Sequence, residues 1–228
     1  LLKVSLRNRL SPSFKKPEVS ILSNYPIANT ALILVDPLNE FLSEKGKLWA
    51  FTKGTAKATN TLENLTLLSR HCREKGIKVI YALHHETCSD DYKHWQFLNP
   101  SHKGSKEHQL FMEGSFGAEV HADIAPQKGD LIAAKHWTAS GFANTDLDML
   151  LKQHGINRVV IAGNRANTCV DSTGRYAVEL GYHATLISDA IAAFSEAEMV
   201  ATIETNWPAF GHAVMTTKSF IEQTVCSE

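Results

Sequence analysis

From residue 31 onward, short apolar runs alternate with amphipathic stretches, and this rhythm constrains the fold more than any other feature of the chain. Such alternation builds a parallel sheet whose strands are joined by crossover helices. The runs fall at 31–35, 77–83, 131–134, 158–163, 183–187 and 212–215. Between the first two, Ala58, Leu62, Leu65, Leu68 and Cys72 recur three and four residues apart, which predicts one helix over 55–75 stopped by Gly76. Thr145 and Asp148 open a second helix that Gly155 ends, and a third runs over 168–180 to Gly181. Ser195 and Glu198 cap a fourth. The expected fold is α/β: a three-layer α/β/α sandwich, Rossmann-like, around a mostly parallel sheet of about six strands. Residues 1–29 read as an N-terminal arm and 30–228 as the domain.

Composition narrows the class. The 228 residues are 43% hydrophobic and 21% charged, as in ordinary globular proteins. Twenty-three Lys and Arg against twenty-four Asp and Glu leave a formal charge of −1, which excludes the basic field that nucleic-acid binding needs. No apolar run is long enough to span a membrane. The four cysteines (Cys72, Cys88, Cys169 and Cys226) form no C-x-x-C pair and suit neither a disulfide framework nor structural zinc. Free thiols imply a reducing compartment, hence a cytoplasmic protein. The chain opens on Leu, as a truncated or processed chain does. Its first residues, with Lys3, Arg7, Arg9, Lys15 and Lys16 and no acid before Glu18, read as a surface arm rather than a targeting remnant.

Ligands of open parallel sheets bind beyond the carboxyl ends of the strands. Asp36 follows the first run, His84 and His85 the second, Lys135 the third, the loop 164–169 the fourth, and Asp189 the fifth. An acid, a cation and a thiol therefore share one rim. Cys169 at a helix start, with Lys135 nearby, is expected to have a depressed thiol pKa. Asp36 would take the thiol proton and return it to a leaving amine. Backbone N–H groups in the turn before the helix would receive a developing oxyanion.

The segments LILVDPLNEF, AAKHWTASGF and VVIAGNRANTCVDSTGRYAVELGYHATLISDAIAAF resemble the isochorismatase-like cysteine hydrolases over about residues 30 to 218. The resemblance implies the same sandwich fold and a catalytic triad of Asp36, Lys135 and Cys169. It implies a cis peptide between Asn164 and Arg165, and an oxyanion hole from the amides of Arg165 and Cys169. It also implies a homo-oligomer, a dimer or tetramer, with a small molecule as substrate. The chain departs from many relatives in having polar Asn164 and charged Arg165 where small or apolar residues stand. Both are substrate-binding candidates, along with His85 and Trp137. Nicotinamidase-like members carry an Asp-x-His metal motif, but here LHHETCSDDYKHW has no aspartate before the histidine pair.

The stretch 84–128 interrupts the rhythm. It is polar, rich in His, Gly and Ser, and carries Trp95, Phe97, Phe111 and Phe116. A long loop with aromatics reads as an ordered insertion covering the substrate, or as a dimer contact. Seven histidines between His84 and His136 lack H-E-x-x-H spacing, so no metal is expected. Phosphate-cradling and dinucleotide glycine motifs are missing as well. The expected activity is hydrolysis of a small amide or other C–N bond through a thioester on Cys169, without metal or organic cofactor. Two alternatives remain open: vinyl-ether hydrolysis of the isochorismatase type, and an idle relative serving as a binding module.

Overall fold

A computed structural model describes residues 25–225. Six strands form one wholly parallel sheet: β2 (Thr30–Val35), β3 (Lys78–Ala82), β4 (Leu131–Ile132), β5 (Arg158–Asn164), β6 (His183–Ala192) and β7 (Ala213–Met215), in the order β4-β3-β2-β5-β6-β7. Beside it, β1 (Tyr25–Pro26) pairs in parallel with β8 (Thr224–Val225). Tyr25 is fully buried there, its ring edge-on to Phe220 at 5.2 Å. Most of the arm expected at the N-terminus, and Cys226, lie outside the described residues.

The pleat sorts the strand residues into two cores. Leu32, Leu34, Val79, Tyr81, Val160 and Ala162 face one side and pack against Leu65, Leu68 and Cys72 of helix Thr61–Lys75 and Phe220 of helix Thr217–Gln223. Ala31, Ile33, Val35, Ile80, Val159 and Ile161 face the other. They meet Leu147 and Leu151 of helix Leu147–Gln153, Ala177 of helix Asp171–Glu179, and Trp207. Because both faces are covered, β2 is buried at every residue and reads as an unbroken apolar run. This is the three-layer α/β/α sandwich.

The single helix expected over 55–75 is two: Trp49–Thr59 and Thr61–Lys75. Asn60 separates them at φ 51°, the left-handed region that asparagine tolerates better than most residues. The remaining helix boundaries agree with the sequence to within a few residues. The insertion is ordered around helix Pro100–His108, which the Asn99 side chain caps by accepting from His102 N–H at 2.9 Å.

Strand order reverses between β2 and β5. The chain moves outward one way through β3 and β4, and the other way through β6 and β7. The crevice at such a switch point opens between the loops leaving the two central strands. Here those loops begin at Asp36 and Arg165. Gly163 lets the strands end so close together: its φ is 119°, and a β-carbon on it would sit 2.0 Å from the Val35 carbonyl oxygen. Gly163→Ala is therefore expected to destabilise the protein by about 3 kcal/mol or more, through clash and a disfavoured backbone. Urea unfolding measures it, and a loss under ~1 kcal/mol would refute the argument.

Candidate active site

Asp36 leaves β2 at φ 44°, uncommon for a residue with a side chain. Its own N–H donates to Ala82 O at 3.0 Å, which fixes the turn against β3. The carboxylate is almost completely buried. Oδ1 accepts from His84 N–H at 2.6 Å and from His136 Nε2 at 3.2 Å. Oδ2 has no geometrically well-formed hydrogen bond within the protein, and the Cys169 thiol lies within reach of the carboxylate. Burial alone would raise the Asp36 pKa. His136, His84 and the Cys169 thiol outweigh it, and the carboxyl is held below its usual range.

Cys169 is set by a widened turn. The Arg165 carbonyl accepts from both Thr168 N–H at 3.1 Å and Val170 N–H at 3.2 Å, giving a π-type turn over Ala166–Val170 before helix Asp171–Glu179. Buried Ala166 and Val170 anchor the turn in the core, leaving Cys169 half-buried between them. The Asn164–Arg165 peptide is cis, as the resemblance implies. The Arg165 backbone beside the Cys169 sulfur favours its thiolate form, and the Thr168 hydroxyl stands 3.9 Å from it.

The thiol is not depressed in the way the sequence suggested. Burial and the Asp36 charge push its pKa well above that of a free cysteine, so the proton rests on sulfur next to an ionised acceptor. The missing depression has a direct cause. Lys135 does not join Asp36 and Cys169, because its Nζ pairs with Glu86 on the exposed side of the strand end. The next residue, His136, turns inward and is buried. The β3–β4 register pairs Ile80 with Leu131 and Tyr81 with Ile132, but His84 bridges His136, one residue beyond that register. The segment between therefore bulges, and His136 stands opposite His84 where the unshifted register would place Lys135. Of the two neighbours it is His136, not Lys135, that touches Asp36. Burial lowers the His136 pKa, but the charge and hydrogen bond of Asp36 more than reverse this, leaving it raised. His84 is shifted the other way, mainly by burial, and its Nδ1 donates to His85 O at 2.7 Å.

The remaining candidates are scattered around this centre. His85 Nε2 meets Asp91 Oδ2 at 2.9 Å, and its ring stacks on Trp137 with centroids 3.5 Å apart. Trp137 extends this into an aromatic group with Trp95 and Tyr92. Asn164 is fully buried, and its Nδ2 donates to Asp36 O at 3.4 Å, which ties the two loops together. Arg165 lays its guanidinium over the Phe194 ring at 3.9 Å. Asp189 is drawn away from the rim, accepting from the N–H and hydroxyl of Thr217 at 2.8 Å each. Among the described residues, no group of three or more His, Cys, Asp or Glu is disposed to hold a metal ion. None of the described helices is long and apolar enough to cross a membrane.

An acid, a buried imidazole and a thiol thus meet at the switch point of a three-layer α/β sandwich. The chain belongs to the isochorismatase family, whose domain matches residues 30–219. It is 40% identical over 107 residues to an uncharacterised isochorismatase family protein of Bacillus subtilis, covering 46% of this chain and about half (55%) of that relative. A ureidoacrylate amidohydrolase of Variovorax paradoxus is 28% identical over 193 residues, 78% of this chain and 76% of that one. Among solved structures, a cysteine hydrolase from Pseudomonas syringae pv. phaseolicola superposes with a TM-score of 0.76 at 26% identity, covering 88% of this chain and 94% of that one. An N-carbamoylsarcosine amidase from Thermoplasma acidophilum gives 0.65 at 27% identity, covering 83% and 96%.

Proposed function

We propose that this protein hydrolyses a small amide or ureido C–N bond through a thioester on Cys169. The observation that carries the reading is the placement of the thiol beside a buried, ionised Asp36, at the loop 164–169 where the two central strands end. Asp36 takes the thiol proton as Sγ attacks the carbonyl carbon, and the carbonyl oxygen becomes an oxyanion received by the amides of Arg165 and Cys169. The intermediate collapses by breaking the C–N bond, and the amine leaves with the proton from Asp36. Water then attacks the thioester and gives its proton to Asp36. The acid product departs, and the proton returns to sulfur. Asp36 is ionised at rest, which is the form the first step needs if it is to accept the thiol proton. Vinyl-ether hydrolysis would instead need Asp36 protonated at rest, with no thiol to supply the proton first. The names of the amidohydrolase and amidase relatives agree with a C–N substrate.

The test is a panel of small amides and N-carbamoyl amino acids read by ammonia release, with hydroxylamine to trap the thioester. Ammonia and a trapped acyl group are expected from at least one compound. Hydrolysis of isochorismate by wild type and Cys169→Ala alike, with no amide turned over, would overturn the amide reading. Lys135 lies outside this scheme. Lys135→Ala is expected to lower activity less than about threefold and stability by less than about 1 kcal/mol, as for a partly exposed ion pair. A hundredfold loss of activity in a folded Lys135→Ala would restore it to the site.

A further inference from the structure

His136 has no free ring nitrogen. Nδ1 lies 3.0 Å from the Thr138 carbonyl oxygen, and Nε2 lies 3.2 Å from Asp36 Oδ1. A carbonyl oxygen only accepts, so Nδ1 carries a proton. A carboxylate oxygen only accepts, so Nε2 carries one too. The alternative, a neutral ring facing a protonated Oδ1, fits poorly with the 2.6 Å bond that Oδ1 already accepts from His84 N–H, a length typical of a charge-assisted contact. The ring is also buried, with side-chain exposure of 1% for both His136 and Asp36, so water cannot replace either partner.

We propose that His136, held doubly protonated between the Asp36 carboxylate and the Thr138 carbonyl, is the positioning cation of this site, and that losing its proton switches the enzyme off. The proposal deepens the hydrolase reading and rests on it for the activity readout. Resting Asp36 is −1, His136 +1 and the thiol neutral, so the buried cluster is neutral. When Asp36 takes the thiol proton, the imidazolium becomes the charge that offsets the developing anion. Deprotonated, His136 turns a lone pair on Asp36 Oδ1, removes one of its two donors and leaves an unpaired buried carboxylate. The groups facing the ring are Asp36 from the turn after β2 and His84 from the end of β3, whose ring centroid is 5.5 Å away. Cys169 adjoins them through Asp36. Lys135, the adjacent cation in sequence, is tied to Glu86.

The sign follows from the raised His136 pKa: the cation persists above the ordinary histidine range near 6.5 and is lost as pH climbs through the folded value. Activity should therefore fall on the alkaline side. In His136→Lys that limb should move up by roughly two pH units or more, toward the lysine range. In His136→Gln, which can still donate to Asp36 but cannot titrate, the His136 limb should vanish and kcat fall by roughly tenfold to a hundredfold. A second readout uses wild-type protein alone. Histidine ring nitrogen shifts should reveal one imidazole doubly protonated above pH 7, and that signal should titrate lower in Asp36→Asn. Cys169 alkylation by iodoacetamide should inflect at the same pH. An alkaline limb unchanged in folded His136→Lys, or no imidazolium above pH 7, overturns the proposal. If no amide in the panel is hydrolysed, the nitrogen shifts and the alkylation inflection still decide the state of His136, separately from the hydrolase reading.

Discussion

Cys169→Ser removes amide hydrolysis almost entirely, with an expected loss of about 10⁴-fold or more in kcat/KM. The serine hydroxyl fits the space of the thiol, so folding should be spared. The loss would come from chemistry. A hydroxyl is a far weaker nucleophile than sulfur, and the base beside it is a carboxylate held below its usual range. Such a base suits a thiol whose proton it shares, but it takes a proton from an alcohol far less readily. The measurement is steady-state ammonia release, with circular dichroism and urea unfolding to show an unchanged fold. Hydroxylamine should trap an acyl group on wild type and none on the serine variant. Retention of more than a tenth of wild-type activity would mean that the sulfur is not the attacking atom.

Asp36→Asn should move two observables in opposite directions. Turnover falls by about 10²- to 10⁴-fold, because an amide cannot take the thiol proton or return it to the leaving amine. Thiol reactivity rises instead. The Asp36 charge is, after burial, the largest cause holding the Cys169 proton on sulfur. Without it the thiol pKa drops, and roughly tenfold more thiolate forms for each unit of that drop. Iodoacetamide should therefore label Cys169 several-fold faster at pH 7.5 than in wild type. The amide oxygen can still accept from His84 N–H, so the turn after β2 keeps its hold on β3. A parallel fall in turnover and labelling would indicate a disturbed turn in place of a lost base. Unchanged turnover would remove Asp36 from the mechanism.

The fold was legible because burial on both sheet faces leaves a record in every strand. Apolar runs such as ALILV and VVIAG cannot be surface strands, and amphipathic helices between them imply parallel crossovers. Two members of the site were legible for a related reason. Asp36 and the 164–169 loop leave the two strands at the reversal of strand order, so their meeting follows from topology alone. The break at Asn60 was less legible, because the apolar spacing over 55–75 continues smoothly across it. Asn60 itself is the turn-former there, and a lone asparagine does not outweigh that spacing.

The choice between Lys135 and His136 shows where sequence ran out. Composition favoured the lysine as the obvious cation. β4 contributes only Leu131–Ile132 to the ladder, so the apolar run does not say which face residues 135 and 136 occupy. The His84–His136 bridge supplies that information, because it lies one residue beyond the β3–β4 register and so marks a bulge after the strand end. A shift of one residue inverts every side chain in a strand, so this single pairing sends a lysine to Glu86 and a histidine to Asp36. Proton placement was hidden for the same reason. Sequence put an acid, a cation and a thiol on one rim. Only tertiary structure decided that burial and a neighbouring carboxylate keep the thiol protonated, because both effects depend on distance and on exclusion of water.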